Sequence, residues 1–207
     1  MPRFITEQGL PAVILAAGDS RRFGEANKLL MPLNGHPLLT YSVEACCQAR
    51  LVQPVLVVIG HEADRVQAAL KAHKNFTDLS IRVNERWEDG LSTTLRTAIV
   101  ALPETASGVV IVPGDMPLIP SELIDRVAET ALRTDRLCFP TLNGRKGHPT
   151  AIPRRYFQQL LQTRGDVGAR EVVREHWAET CRLELDSAES HTQLDVDTDA
   201  DREWASS

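Results

Sequence analysis

Apolar runs of strand length alternate with helical patterns along most of the chain. The runs are nearly continuous in Val, Ile and Leu, which is typical of strands buried on both faces of a parallel sheet. Alternation of this kind implies right-handed crossovers and helices on both sides of the sheet. The predicted strands are 12–17, 54–60, 80–84 and 109–113, and the predicted helices between and after them are 38–50, 62–73, 92–102 and 121–133.

The pattern is weaker in the last third of the chain. It indicates strands at 137–141, 150–152 and 181–185, and helices at 155–161 and 169–177. The chain has 207 residues, which suits one domain, and no internal repeat or linker divides it. We therefore predict a single domain, 1–207, with a three-layer α/β/α sandwich fold around a mostly parallel sheet.

The most informative segment follows the first strand. Leu15-Ala16-Ala17-Gly18 leads into a turn that carries Arg22, Gly24 and Lys28. Small residues let the main chain approach a ligand closely, backbone N–H groups in such a turn bind anionic oxygens, and the cations neutralise charge. A polyphosphate is the natural ligand. The segment is neither a Walker A loop nor a Gly-x-Gly-x-x-Gly dinucleotide fingerprint, so an NAD-type oxidoreductase is disfavoured.

Two carboxylate motifs could hold a divalent cation. The buried strand 109–113 ends in Pro-Gly and delivers Asp115, which could also merely cap its turn. Mg²⁺ prefers hard oxygen ligands and binds nucleotide with one or two protein carboxylates. Near the C-terminus, Asp195, Asp197 and Asp199 alternate along an extended segment, which could equally be a solvated tail.

Three further motifs follow predicted strands or open predicted helices. Ser92 and Thr93 stand at the start of a helix, where they could cap it or contact a nucleotide. His148 lies in a loop with two cations and two glycines, which could be only an exposed hairpin. Asp166 could cap a helix, and Arg170 could reach a phosphate or merely Asp166.

Composition and charge limit the classes of partner that the protein is expected to have. Net charge is −5, which disfavours nucleic acid as a partner, and no apolar run approaches the length of a membrane span. The four cysteines lack Cys-x-x-Cys spacing and the six histidines lack metal-ligand spacing. With no signal-peptide pattern, these features indicate a cytoplasmic protein with reduced cysteines.

These motifs resemble those of the MobA-like nucleotidyltransferases in the order the family shows. The Leu-Ala-Ala-Gly form is most similar to the molybdenum cofactor cytidylyltransferases (MocA-like), although Phe23 stands where the family usually has Met. The resemblance implies a Rossmann-like nucleotidyltransferase fold, with a nucleotide-binding part at about 11–117 and an acceptor-side part at about 118–200. It implies transfer of CMP from CTP to the phosphate of a molybdopterin-type cofactor, with Mg²⁺ as cofactor and possible delivery to a molybdenum hydroxylase.

The resemblance also assigns roles to residues. Lys28, Arg22 and Asp115 would be catalytic, and Asp115 with Asp197 would bind the metal, with Asp195 as the fallback. The expected acceptor contacts are His148 and Arg170, and the expected nucleotide contacts are Leu15, Ala16, Ala17, Gly18, Arg22, Lys28, Ser92 and Thr93.

Related guanylyltransferases carry glycine at the position of Ala17. We therefore expect the Ala17 methyl to disfavour a purine, unless it only packs the turn against the sheet. The alternatives are a nucleotidyltransferase that uses GTP or a sugar- or polyol-phosphate acceptor, and a non-catalytic module that binds nucleotide or delivers cofactor.

Overall fold

The computed structural model describes residues 9–19, 26–73, 76 and 79–194. Its first half alternates strands and helices as the apolar pattern predicts. The strands and helices up to residue 113 are β1 (Leu10–Ala16), β2 (Pro32–Leu33), β3 (His36–Pro37), α1 (Leu38–Gln48), β4 (Val52–Ile59), α2 (Ala63–Ala72), β5 (Ser80–Val83), α3 (Leu91–Ala101) and β6 (Gly108–Pro113).

The second half adds shorter elements. They are α4 (Ser121–Thr134), β7 (Cys138–Leu142), β8 (Arg145–Lys146), β9 (Thr150–Pro153), α5 (Phe157–Gln162), α6 (Arg170–Glu175) and β10 (Cys181–Glu184). Each strand and α-helix predicted from the sequence is present, with ends that move by one or two residues. The short pairs of strands, β2 with β3 and β8 with β7, were not predicted.

Eight strands form one sheet in the order β10-β7-β9-β6-β1-β4-β5, and β8 pairs with β7. Strands β5, β4, β1 and β6 are parallel neighbours, while β9 runs antiparallel between β6 and β7. The sheet is therefore mostly parallel, as predicted. Because β6 and β7 share a direction, the carboxyl ends of β1, β4, β5, β6 and β7 lie at one edge.

Helices cover both faces of this sheet. On one face, Ile14 of β1 packs in a core with residues of α1, α2 and α4. On the other face, Val13 packs with residues of α3, α5 and α6. Successive side chains of a strand point to opposite faces, so β1 contributes to both cores, and its residues are buried except for the partly buried Leu15. The predicted three-layer α/β/α sandwich is confirmed.

Candidate active site

Lys28 and Asp115 meet at the carboxyl edge of the sheet. The Lys28 Nζ lies 2.6 Å from the Asp115 Oδ2, and the two side chains are 12% and 27% exposed. They come from the two motifs that the sequence indicated as the phosphate turn and the metal-binding turn. The structure therefore joins the two halves of the candidate site, although they are far apart in the sequence.

Asn27 holds Lys28 in place. The Asn27 side chain is buried, and its Oδ1 accepts the Leu29 backbone N–H at 3.1 Å, which caps the 3₁₀ helix Lys28–Leu30. Its Nδ2 donates to the His61 carbonyl at 3.5 Å. The base of Lys28 is thus fixed between the turn and the end of β4, and the ammonium group is aimed at Asp115.

Gly114 brings Asp115 beside the end of β1. The Gly114 N–H donates to the Leu15 carbonyl at 3.0 Å. A Cβ atom at Gly114 would lie 2.9 Å from Leu39 Cδ1 and 3.1 Å from the Leu15 oxygen. A side chain there would force Leu39 or the end of β1 to shift, so glycine favours this close approach.

The Leu15–Gly18 turn presents a mixture of buried and open positions. Leu15 is partly buried, Ala16 and Ala17 are buried, and Gly18 is exposed with open space where a Cβ would be. The Ala17 carbonyl accepts the His61 N–H at 3.0 Å. Arg22 and Gly24 lie outside the described residues, so their expected roles stay predictions.

The Ala17 methyl packs against the end of β4. Ala17 is 3% exposed, and a Cβ atom added to Gly60 would lie 2.8 Å from the Ala17 Cβ and 2.6 Å from the Trp87 Cβ. The His61 ring lies against Trp87 with 5.1 Å between centroids. This tight packing favours the alternative in which Ala17 seats the turn, over direct contact with a nucleobase.

The Asp166 carboxylate accepts a hydrogen bond from the first backbone N–H of helix α3. Its Oδ1 accepts the Leu91 N–H at 3.1 Å, so it caps a helix from a distant loop. Gly90, at the N-cap with φ of 100°, leaves room for this loop, because a Cβ there would lie 2.6–2.8 Å from Gly165 and Asp166. Asp166 therefore has a structural role, and it forms no ion pair with Arg170 within the described part of the chain.

Ser92 and Thr93 differ in how their hydroxyls are used. The Thr93 Oγ1 donates to the Arg86 or Gly90 carbonyl and accepts a bond from Asn84 Nδ2. Ser92 is 3% exposed, and its hydroxyl makes no hydrogen bond to the described residues. Ser92 is thus the better candidate for a nucleotide contact, and Thr93 orders the segment around it.

The loop before β9 lies at the same edge as Asp115. Thr150 of β9 pairs with Ile111 of β6 in their antiparallel ladder. Ile111 precedes Asp115 by four residues, so the start of β9 lies near the end of β6 that leads to Asp115. Gln193 clamps His148: its Oε1 accepts the His148 N–H at 2.7 Å, and its Nε2 donates to the His148 carbonyl at 2.9 Å. Gln193 thereby ties the C-terminal segment to the loop two residues before Asp195.

His148 is uncharged in this loop. Its pKa is lowered to about 3, first by burial and then by the positive charges of Lys146 and Arg170. The His148 Nδ1 is buried and has no hydrogen-bond partner. The pKa of Lys146 is lowered to about 8, again mainly by burial, with Arg170 as the second cause. Among the described residues, no carboxylate pairs with these positive charges at the loop.

Asp115 is the candidate metal ligand among the described residues. Among them, no group of three or more His, Cys, Asp or Glu side chains is placed to hold a metal ion. A nucleotide-bound Mg²⁺ needs only one or two protein carboxylates, since phosphates and waters complete its shell. Asp115 fits that requirement. Asp195 and Asp197 lie outside the described residues.

Three contributors to this site were missed in the sequence. No role is assigned to Asn27, Asn84 or Gln193 from the sequence alone. The signal for the asparagines was their position, because a buried amide beside a turn needs several backbone partners. Nothing in the local sequence links Gln193 to His148, since their contact depends on how the C-terminal segment packs.

The fold and this carboxyl-edge arrangement of a phosphate turn, a lysine and an aspartate define a nucleotidyltransferase-like protein. The MobA-like NTP transferase domain model matches residues 12–181. The chain belongs to the MobA-like NTP transferase family.

One relative of known name is similar to most of this chain. The bifunctional protein GlmU of Anaeromyxobacter sp. (strain K) is 31% identical over 182 residues, which are 83% of this chain and 36% of GlmU. The chain thus spans about a third of that relative's length.

In the described residues, no helix is long and apolar enough to cross a membrane.

Solved structures share the fold. Rv0371c from Mycobacterium tuberculosis H37Rv is 26% identical, with a TM-score of 0.81 over 97% of this chain and 99% of that one. A complex of Rv0371c with manganese has a TM-score of 0.76 over 96% and 98% of the two chains at 24% identity. A CMP:2-keto-3-deoxy-manno-octonic acid synthetase complexed with CTP has a TM-score of 0.73 over 96% and 97% at 16% identity.

Proposed function

We propose that this protein transfers CMP from CTP to the terminal phosphate of a molybdopterin-type cofactor and releases pyrophosphate. The Lys28–Asp115 pair is the observation that carries the proposal. It puts a cation for the triphosphate and a carboxylate for a metal ion within hydrogen-bond distance at the edge where α/β sheets bind ligands.

Lys28 would bind the triphosphate. Its ammonium group pairs with Asp115 in the structure. A bound triphosphate would take the place of Asp115 as the partner of Lys28, and the Asp115 carboxylate would then be available to hold a divalent cation. The lysine then stabilises the charge that grows on the leaving pyrophosphate, and such contacts accelerate the reaction because they strengthen in the transition state. Arg22, predicted from the sequence, would share this role.

Asp115 and Asp197 are the proposed ligands of Mg²⁺, with Asp195 as the fallback. A divalent cation would neutralise the phosphates and align the attacking and α-phosphate oxygens. The hydrogen bonds between Gln193 and His148 support a role for Asp197 or Asp195. They anchor the chain, just before these carboxylates in the sequence, at the loop before β9, which is called the acceptor loop below. The manganese complex of Rv0371c supports the use of a divalent cation by this fold.

The acceptor phosphate would attack the α-phosphorus without a general base. A phosphate monoester has its second pKa near 6, so it is already ionised at neutral pH. His148 supports this view, because with a pKa of about 3 and a cationic surrounding it is a poor proton acceptor at pH 7. We assign His148 and Arg170 to acceptor binding, so that catalysis consists of positioning and charge stabilisation.

Ser92 is the proposed nucleotide contact at helix α3, together with the Leu15–Gly18 turn. The choice of CTP rests on the Leu-Ala-Ala-Gly resemblance and is supported by the CTP complex of a protein with the same fold. We further propose a cytoplasmic location, which agrees with the lack of any disulfide among Cys46, Cys47, Cys138 and Cys181, and a molybdenum hydroxylase as the final recipient of the product.

The test is a substrate matrix. The full chain is incubated with Mg²⁺, each NTP in turn, and molybdopterin-type, sugar-phosphate and polyol-phosphate acceptors, with pyrophosphate release as the readout. CTP with a molybdopterin acceptor should give the highest kcat/KM. A preference for GTP or for a sugar or polyol phosphate would replace the substrate assignment. Nucleotide binding without release from any acceptor would indicate a delivery module.

A further inference from the structure

Lys146 is held in an unusual setting next to the proposed acceptor site. Strand β7 turns into β8 through Asn143 and Gly144, whose φ angles of 51° and 75° are typical of a type I′ turn. The register Thr141–Lys146 and Leu142–Arg145 then fixes the faces of β8. Since neighbouring side chains alternate, Arg145 is exposed while Lys146 is partly buried.

The ammonium group of Lys146 is surrounded by neutral groups. Its Nζ donates to the Thr150 Oγ1 at 2.7 Å and to the Gly147 carbonyl at 3.0 Å, and it lies 5.3 Å from the centre of the Phe139 ring. No carboxylate pairs with it in the described part of the chain. A partly buried charge without a counter-ion is costly, which points to a ligand that supplies the opposite charge.

Arg170 adds a second cation to the same place. Helix α6 begins at Arg170, and its residues Val172 and Val173 pack in the same core as Phe139, whose ring lies next to the Lys146 ammonium group. The Arg170 side chain is exposed, it makes no hydrogen bond or ion pair with described residues, and its charge lowers the pKa of both Lys146 and His148. Asp166, the carboxylate nearest in sequence, is engaged by the Leu91 N–H instead. His148 is neutral and can give hydrogen bonds but no charge.

We propose that Lys146, with Arg170, forms the binding site for the phosphate of the acceptor. The inference rests on the proposed function and deepens it by naming the charged group that recognises the acceptor. Thr150 and the Gly147 carbonyl orient the lysine, whose third proton remains for a phosphate oxygen, and Arg170 can supply a planar pair of donors. Lys146 lies between β7 and β9 at the carboxyl edge that also carries Asp115, which is where an attacking phosphate would arrive.

The competing structural explanation is that Lys146 only ties β8 to β9 through Thr150. A measurement of phosphate binding at this loop distinguishes that explanation from the proposed phosphate site. Inorganic phosphate is titrated into the full-length protein, and the backbone amide NMR signals of Gly147 and His148 report the dissociation constant at this loop. The wild-type signals should shift saturably. Lys146→Met, which keeps the packing on Phe139, should weaken binding by about 10- to 100-fold.

Three variants serve as comparisons. Lys146→Arg should stay within about threefold of wild type, because it keeps the charge. Arg145→Met removes a neighbouring charge from the opposite face of β8 and should change binding less than about twofold. Lys28→Met should also leave the constant at this loop nearly unchanged, since Lys28 belongs to the triphosphate site.

Absence of a saturable shift in wild type, or equal affinity in Lys146→Met and wild type, would overturn the proposal. If Lys146→Met fails to fold, Arg170→Met on the exposed surface decides the matter, because it too must weaken phosphate binding. These binding constants do not depend on turnover. Failure to find CMP transfer would therefore contradict the proposed function and leave the phosphate site standing.

Discussion

Lys28 Nζ and Asp115 Oδ2 lie 2.6 Å apart, so each group holds the other in the position where it would meet nucleotide and cation. Lys28→Met should therefore lower kcat/KM for nucleotide about 10²- to 10³-fold, by removing a contact to the leaving pyrophosphate. The fold should survive, since partly exposed ion pairs contribute about 0–1 kcal/mol to stability. Pyrophosphate release and the melting temperature are the measurements.

Lys71→Met is the matched control for this variant. Lys71 is an exposed lysine in the last turn of α2, and its loss should leave kcat/KM unchanged. Near wild-type turnover in Lys28→Met would remove Lys28 from the active site. A collapse of its melting temperature would favour a purely structural role for the pair.

The outline of the fold could be predicted from the sequence because burial on both faces leaves a strong apolar signal. Val109, Val110, Ile111 and Val112 are each at most 3% exposed, and their run was sufficient to locate β6. Strands β2 and β8 have only two residues each, too few to give a periodic pattern, and depend on their turns.

The candidate site was predictable where the chemistry is local and unpredictable where it depends on packing. Lys28 and Asp115 each stand in a motif with a mechanism, and their shared edge follows from parallel strands. The cap that Asp166 provides for Leu91, 75 residues away, could not be read from spacing. The sequence analysis placed Ser92 and Thr93 as possible caps, but Gly90 and Asp166 hold that position.

Asp115→Asn and Asp197→Asn should each abolish activity that depends on a divalent cation. An amide keeps the shape of the side chain but withdraws the negative charge that the cation requires. Chelation of metal should stop wild-type turnover, and added Mg²⁺ should restore it. Titration of rate against Mg²⁺ for each variant is the measurement, with Asp64→Asn on the exposed surface of α2 as the control.

The same titration decides between the two C-terminal carboxylates. A weakened Mg²⁺ dependence in Asp195→Asn, with an unchanged one in Asp197→Asn, would move the second ligand to Asp195. Wild-type behaviour in Asp115→Asn would exclude Asp115 as a metal ligand and leave it only the ion pair with Lys28.

Ala17→Gly should lower stability more than it changes nucleotide choice. The Ala17 methyl is buried beside Gly60 and Trp87, so its removal leaves a small gap at the end of β4 and costs about 1 kcal/mol. We expect the ratio of kcat/KM for CTP over GTP to change less than about threefold. A change of tenfold or more would show that Ala17 shapes the base pocket.

Asp166→Ala should destabilise the protein by about 1 kcal/mol, the usual loss when a helix cap is removed. The reason is that the Leu91 N–H at the start of α3 loses its acceptor. Chemical denaturation measures the loss, and Asp166→Asn, which keeps an acceptor oxygen, should recover part of it. Equal stability of Asp166→Ala and wild type would show that water replaces the carboxylate without cost.

The depressed pKa of His148 should make stability depend on pH in mildly acidic solution. In the unfolded chain His148 titrates near 6.5, whereas in the folded protein burial and the charges of Lys146 and Arg170 lower its pKa to about 3. Between these values the unfolded state binds more protons, so the free energy of unfolding falls as pH decreases from 6.5 toward 3. One such group contributes at most about 1.4 kcal/mol per pH unit.

His148→Gln should remove this contribution and flatten the dependence of stability on pH between about 6 and 4. Lys146 does not interfere, because its pKa near 8 in the folded protein places its own titration window between about 8 and 10.5. His191→Gln is the control, since it replaces an exposed histidine outside the loop by the same residue. Urea unfolding at half-unit pH intervals gives the slopes. If His148→Gln and wild type have the same slope, His148 is protonated in the folded protein at mildly acidic pH, and its place as a neutral member of the acceptor loop would have to be given up.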